Sequence, residues 1–166
     1  FSTTIYLHRS ATHRALTLHP VAAWGFRLCI WLFTGIVPRE WVAVHRKHHA
    51  HTDEEGDPHS PLLMGFWKVQ LGNVFCYVKE ARNPATVAAY AKDLQGSDIW
   101  DKIAFNYGGA GLITGTALLC IFLGWWGLFA SVFAGFLYVF VLSSSINGLW
   151  HYFGYKNFDN TAGNFR

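Results

Sequence analysis

IAFNYGGAGLITGTALLCIFLGWWGLFASVFAGFLYVFVLSSSINGLWHYFGY, residues Ile103–Tyr155, holds no Asp, Glu, Lys or Arg in 53 positions. About 20 helical residues cross the ~30 Å hydrocarbon layer of a bilayer, so the run can hold two crossings. Gly124-Trp-Trp-Gly127 divides it. Glycine permits a turn there, and Trp favours the headgroup level. The pattern predicts a transmembrane helical hairpin over roughly 103–123 and 127–146. Gly108, Gly109, Gly111 and Gly115 are small residues in its first helix that permit close helix contact.

Working outward, two crossings return the chain to its starting side. His151 then emerges on the side where Asp101 and Lys102 enter. Residues 38–102 are polar and carry most of the charges, which makes them cytosolic by the positive-inside rule. Val21–Val37 is apolar but short and contains Arg27, so an interfacial or partly buried helix is expected. Asn83-Pro84 carries start signals, with Asn as N-cap and Pro at the first helical position. That helix should run to about Leu94, with Gly96 ending it and Ser97 capping the next. Thr52–Pro61 reads as a turn-rich loop.

The fold class that follows is all-α: an integral membrane helical protein whose cytosolic helical cap carries a His-rich site. Residues 1–166 form a single domain. Residues 1–102 hold the end of a transmembrane helix and the cap, 103–146 the hairpin, and 147–166 a cytosolic segment. The opening Phe1-Ser-Thr-Thr-Ile-Tyr-Leu7 looks like a helix end, and the chain stops at Asn164-Phe-Arg166 without a closing element, so it reads as a fragment.

Composition agrees with a lipid setting. Hydrophobic residues make up 52% and charged residues 14%, which argues against an ordinary soluble domain. The net charge of +3 is scattered rather than gathered in a Lys/Arg run, which argues against nucleic-acid binding. Cys29, Cys76 and Cys120 are far apart in apolar surroundings and read as small core residues, not a disulfide framework.

The histidines carry the chemistry. In His45-Arg-Lys-His-His49 the i, i+3 and i+4 positions fall within about a 100° arc of a helix. Three imidazoles therefore converge, while adjacent His48 and His49 diverge enough to face two neighbouring metals. The competing reading of this cluster is a basic membrane-surface patch with Arg46 and Lys47. His8 and His13 are five apart, a poor same-face spacing on a regular helix. They fit a helix end running into irregular backbone, or two different metals. Asn147 and His151, four apart, share a face at the end of the second membrane helix. His19 and His51 read as loop or surface residues, and His59 as a group behind the ligands or a turn residue.

Clustered imidazoles suit iron, copper, nickel or zinc better than calcium or magnesium. Cysteine pairs for structural zinc, the H-E-x-x-H of zinc proteases and the Glu-x-x-His of ferritin-like bundles are all absent. An all-imidazole site beside a bilayer points to iron used for dioxygen chemistry on a lipid.

At these residues the chain resembles the membrane fatty acid desaturases. His8-Arg-Ser-Ala-Thr-His13 is similar to that family's first histidine box, H-x-x-x-x-H. His45-Arg-Lys-His-His49 is similar to the second, H-R-x-H-H. Thr52-Asp53 and Asp57-Pro58-His59-Ser60-Pro61 follow it as in the Δ9 branch. Asn147-Gly-Leu-Trp-His151, then Gly154, resembles the N-x-x-x-H element after the last membrane helix. Two departures stand out. The third box, H-N-x-H-H, should follow His151 and is not present, which predicts a piece that is inactive as it stands. Trp41-Val-Ala-Val-His45 replaces the W-A-R-D-H of animal acyl-CoA members, leaving the acyl carrier, acyl-CoA or acyl-lipid, open.

The resemblance implies two iron ions, with His8, His13, His45, His48, His49 and His151 as ligands and Asn147 holding a metal-bound water. It implies insertion of a cis double bond, Δ9 in flavour, into a saturated acyl chain with O2 and an electron-transfer protein. The active site would face the cytosol at a bacterial inner membrane or the endoplasmic reticulum. Asp57 and His59 become candidates for ordering the ligands, and Trp41, one turn before His45, for lining the acyl tunnel. Two rival readings are a membrane di-iron hydroxylase of alkane, sterol or carotenoid, and a non-catalytic metal-binding membrane protein.

Overall fold

The computed structural model describes residues 1–94 and 98–153. Gly96, Ser97 and Gly154, with the rest of the 147–166 segment beyond Phe153, lie outside the described residues. Among the described residues the chain is helical and contains no strand. In chain order the helices are α1 (Thr3–Thr12), α2 (Pro20–Thr34), α3 (Pro38–Ala50), α4 (Pro61–Met64), α5 (Phe66–Ala81), α6 (Pro84–Tyr90), α7 (Asp101–Phe105), α8 (Gly108–Leu123) and α9 (Trp125–Tyr152). Of these, α9 is long and apolar enough by length and composition to cross a membrane, while α8 is apolar but only 16 residues long.

The helices fall into two compact units. The first comprises Phe1–Val42 and Ala91–Gly135. Here α2 starts at Pro20, with the His19 ring accepting from the Val21 N–H at 3.4 Å, and stops at Gly35 in a left-handed turn (φ +63°). Helix α8 lies against α2 through one glycine face. A Cβ at Gly108, Gly111 or Gly115 would fall onto the backbone carbonyl oxygen of Gly35, Trp31 or Leu32 respectively. Gly109 points elsewhere, with nothing within 4 Å of its Cβ position. The Trp31 indole N–H donates to the Tyr107 carbonyl at 3.0 Å, pinning the start of α8. Thr116 and Ser131 hydroxyls meet at 2.7 Å across the turn at Gly124.

Arg27, the one charge in α2, is satisfied within this unit. Its guanidinium donates to Asp98 at 2.6 Å and to Asp101, and lies 4.6 Å above the Phe105 ring. The Arg27 hydrogen bond holds the Asp98 carboxyl down to about 2. A carboxyl lowered in the folded state stabilises it above the unfolded pKa of ~3.9 and loses that contribution as pH falls through the folded value. Asp98→Asn should therefore lower the melting temperature at pH 5–7, with the difference shrinking between pH 4 and pH 2. A constant difference across that range would rule out the ion pair as its source.

The second unit comprises Ala43–Tyr90 and the chain from Phe136 on. Helix α5 packs here against the last turns of α9. Gly148 permits the approach, since a Cβ there would sit 2.7 Å from the Gln70 side-chain oxygen. Helix α6 begins as its sequence dictates, the Asn83 side chain accepting from the Ala85 N–H at 3.1 Å. It ends at Tyr90, followed by a single 3-10 turn over Lys92–Leu94.

Candidate metal centre

In the first unit, α1 is wound wider than an α-helix, closing i to i+5 bonds. The His13 N–H donates to the His8 carbonyl at 3.1 Å. That winding turns an unfavourable five-residue spacing into a same-face one, and the two rings lie 4.6 Å apart, edge to face. Wide turns of this kind recur at functional sites.

In the second unit, the last turns of α3 divide three imidazoles into two directions. His45 and His49 pair, with ring centroids 4.6 Å apart and Nε2 atoms 3.1 Å apart. His48 turns instead to His59 at 4.6 Å and His151 at 4.9 Å. The neighbouring cations do not form a free basic patch. The Arg46 guanidinium donates to the Tyr90 carbonyl at 3.0 Å, and the Lys47 ammonium to Glu80 at 2.8 Å. His51 also has a structural partner, the Tyr90 hydroxyl at 2.9 Å.

The 52–60 loop supplies carboxylates behind the rings. His48 Nδ1 bonds Asp57 at 2.9 and 3.1 Å. Asp57, its side chain fully buried, also accepts the N–H groups of Asp53 and His59 at 2.9 and 3.0 Å. Burial alone would raise the Asp57 carboxyl, but the His48 bond and charge and the two backbone donors together bring it below its usual range. The equivalent partner of His151 is Asp53, at 3.3 Å from Nδ1. The Asp53–His151 bond was not foreseen from sequence, because 98 residues separate the pair.

His59 is 5% exposed, and neither ring nitrogen has a hydrogen-bond partner among the described residues. Burial, with His48 next, pushes it down to about 3, so it stays neutral. A buried imidazole bonded through neither nitrogen is costly, by ~1–3 kcal/mol, unless a further group fills the space beside it.

Asn147 lies on the wide-wound Ser145–Leu149 stretch of α9. Its side-chain NH2 donates to the Asn73 oxygen at 3.3 Å, and the Asn73 amide in turn donates to the Ser143 hydroxyl at 3.0 Å. Trp41 is half-buried on α3.

This donor set fits a divalent transition metal. Nδ1 of His48 and of His151 is engaged by a carboxylate, which leaves Nε2 of each as a lone-pair donor, the usual arrangement of metal-binding imidazole. The Nε2 separation of His45 and His49 matches the ~3 Å between two ligands at a right angle with ~2.1 Å bonds. His48, Asp57 and His59 offer ligand atoms within 4.8 Å of one another.

The fatty acid desaturase family matches residues 1–164. An sn-1 stearoyl-lipid 9-desaturase of Anabaena variabilis is 29% identical over 157 residues, 94% of this chain and 56% of that protein. The corresponding enzyme of Synechocystis is 27% identical over 95% of this chain and 48% of its own length. A hex-5-enoyl-[acyl-carrier protein] acetylenase of Moorena producens is 32% identical, covering 95% of this chain and 53% of that protein. The chain thus spans about half the length of the curated relatives it matches. No solved structure matches it. With the histidine clusters in place and the match running almost end to end, the chain belongs to the fatty acid desaturase family.

Proposed function

We propose that the full protein is a membrane desaturase that introduces a cis double bond, at the Δ9 position, into a saturated acyl chain. Two hydrogens leave adjacent carbons, and O2, with two electrons from a donor protein and two protons from solvent, becomes two waters. The observation that carries the reading is the pair of buried histidine–carboxylate bonds, His48–Asp57 and His151–Asp53, in a chain matched over residues 1–164. His8, His13, His45, His48, His49 and His151 serve as ligands to two irons, which supply O2 activation when bound. Helix α9 crosses the membrane, with α8 beside it, and the histidines face the cytosol.

The chain's own residues do the rest. Asp57 and Asp53 hold the His48 and His151 rings with Nε2 free. Asn73 takes the NH2 of Asn147, so the amide oxygen of Asn147 is left to accept from a metal-bound water. Trp41, one turn before His45, lines the acyl path. A lipid-bound acyl chain is the preferred substrate, given the two stearoyl-lipid relatives. The acetylenase relative supports a second form, an acyl chain on a carrier protein.

Full-length protein with a reductase system and stearoyl-lipid should yield a product lacking two hydrogens by mass spectrometry. A product that gains an oxygen would identify a hydroxylase. Iron content without O2 consumption would identify a non-catalytic metal protein. Acyl-carrier-protein substrate in a parallel reaction separates the two carrier forms.

A further inference from the structure

Asp53 is an unusual residue for a surface turn. Its side chain is only 1% exposed, and its backbone is left-handed (φ +59°), a conformation few non-glycine residues adopt. Its backbone N–H and both carboxylate oxygens are engaged. The Asp53 N–H donates to Asp57 at 2.9 Å, the Ser60 hydroxyl donates to Oδ1 at 2.7 Å, and His151 Nδ1 lies 3.3 Å from Oδ2. Ser60 is itself fully buried and also caps α4. The loop therefore holds one carboxylate under His48 and a second under His151, with a backbone hydrogen bond joining the two.

A carboxylate offers acceptors only, so a bond to it requires the hydrogen of His151 to reside on Nδ1. Nε2 then carries the lone pair, and the ring is held in one orientation. Both effects favour a metal at Nε2. The structure assigns Asp53 as a positioning residue for metal binding: it fixes the tautomer and orientation of His151 from a left-handed turn next to the second histidine box. The inference rests on the ligand reading of His151 given above. It also accounts for the left-handed backbone. Asp is among the few side chains that this conformation admits, and bonds on both carboxylate oxygens hold it there.

The test uses the full-length protein and iron(II) or cobalt(II) titrated against a chelator, with thermal melting of the metal-free protein alongside. Asp53→Asn keeps the size and tolerates the left-handed backbone, so the metal-free melting temperature should hold. Metal affinity should fall by about 10–100-fold, with a changed cobalt absorption envelope. Ser60→Ala, which only loosens the carboxylate, should give a smaller fall. His151→Ala separates the two levels of the argument. If His151→Ala leaves affinity unchanged, the ligand reading fails. If His151→Ala weakens binding while Asp53→Asn binds as wild type, the positioning role of Asp53 is overturned. Should Asp53→Asn not fold, an unchanged affinity in Ser60→Ala overturns it instead.

Discussion

His48→Ala in the full-length protein should abolish product formation and strip most of the bound iron. The imidazole is 5% exposed and borders His59 and His151, so its removal opens the middle of the second unit's cluster. Loss of a partner behind a ligand weakens metal binding by ~10–100-fold, and loss of the ligand itself should exceed that. There is a second cost. Asp57 is fully buried and loses the bond and the charge that hold its carboxyl low. Breaking a buried pair by deleting one partner costs ~3–5 kcal/mol unless the survivor takes up a proton. The alanine variant should therefore also melt early, above all near neutral pH where Asp57 would be ionised. His48→Gln separates the two effects, because its amide can still donate to Asp57 while binding iron poorly. Iron per chain, measured by elemental analysis, should fall in both variants, and melting temperature chiefly in the first. Wild-type iron content in His48→Gln would reject His48 as a ligand.

Gly115→Val should destabilise the protein about as severely, through packing alone. A Cβ at position 115 meets the Leu32 carbonyl of α2 head on, and backbone cannot swing aside as a side-chain tip can. The helices must separate, which also strains the Trp31–Tyr107 bond and the Gly35 turn. Overpacking typically costs ~1–3 kcal/mol and more where rigid backbone is the obstacle. Gly109→Ala is the matched control. Nothing lies near its Cβ position, and alanine is favoured over glycine within a helix by ~0.5–1 kcal/mol, so this variant should be neutral or slightly more stable. Thermal unfolding in detergent checks both. Equal losses at positions 109 and 115 would mean that the glycine face is not what brings α2 and α8 together.

These two glycines show what the sequence could and could not reveal. Four small residues in one apolar helix announce a close contact, but only the partner helix decides that Gly108, Gly111 and Gly115 face it and Gly109 does not. The divergence of His48 from His49 is legible because helical period is a local property, but which of the two His45 joins is not. The meeting of His8 with His13 is not, because it depends on a wide winding that no residue in Thr3–Thr12 signals. The Asp53–His151 bond is hidden for a different reason: its partners are joined by folding, not by spacing. The start of α6 at Asn83-Pro84 is written locally, whereas its stop at Tyr90 comes four residues before Leu94.

The 28 residues of α9 have an arithmetic of their own. At 1.5 Å per residue a helix of that size reaches at most about 42 Å, some 12 Å beyond the oily slab of a bilayer. Counted from Trp125, the ~20 residues that a crossing takes end near Ser144, so Asn147 and His151 lie on a stretch of α9 that spanning a bilayer does not consume.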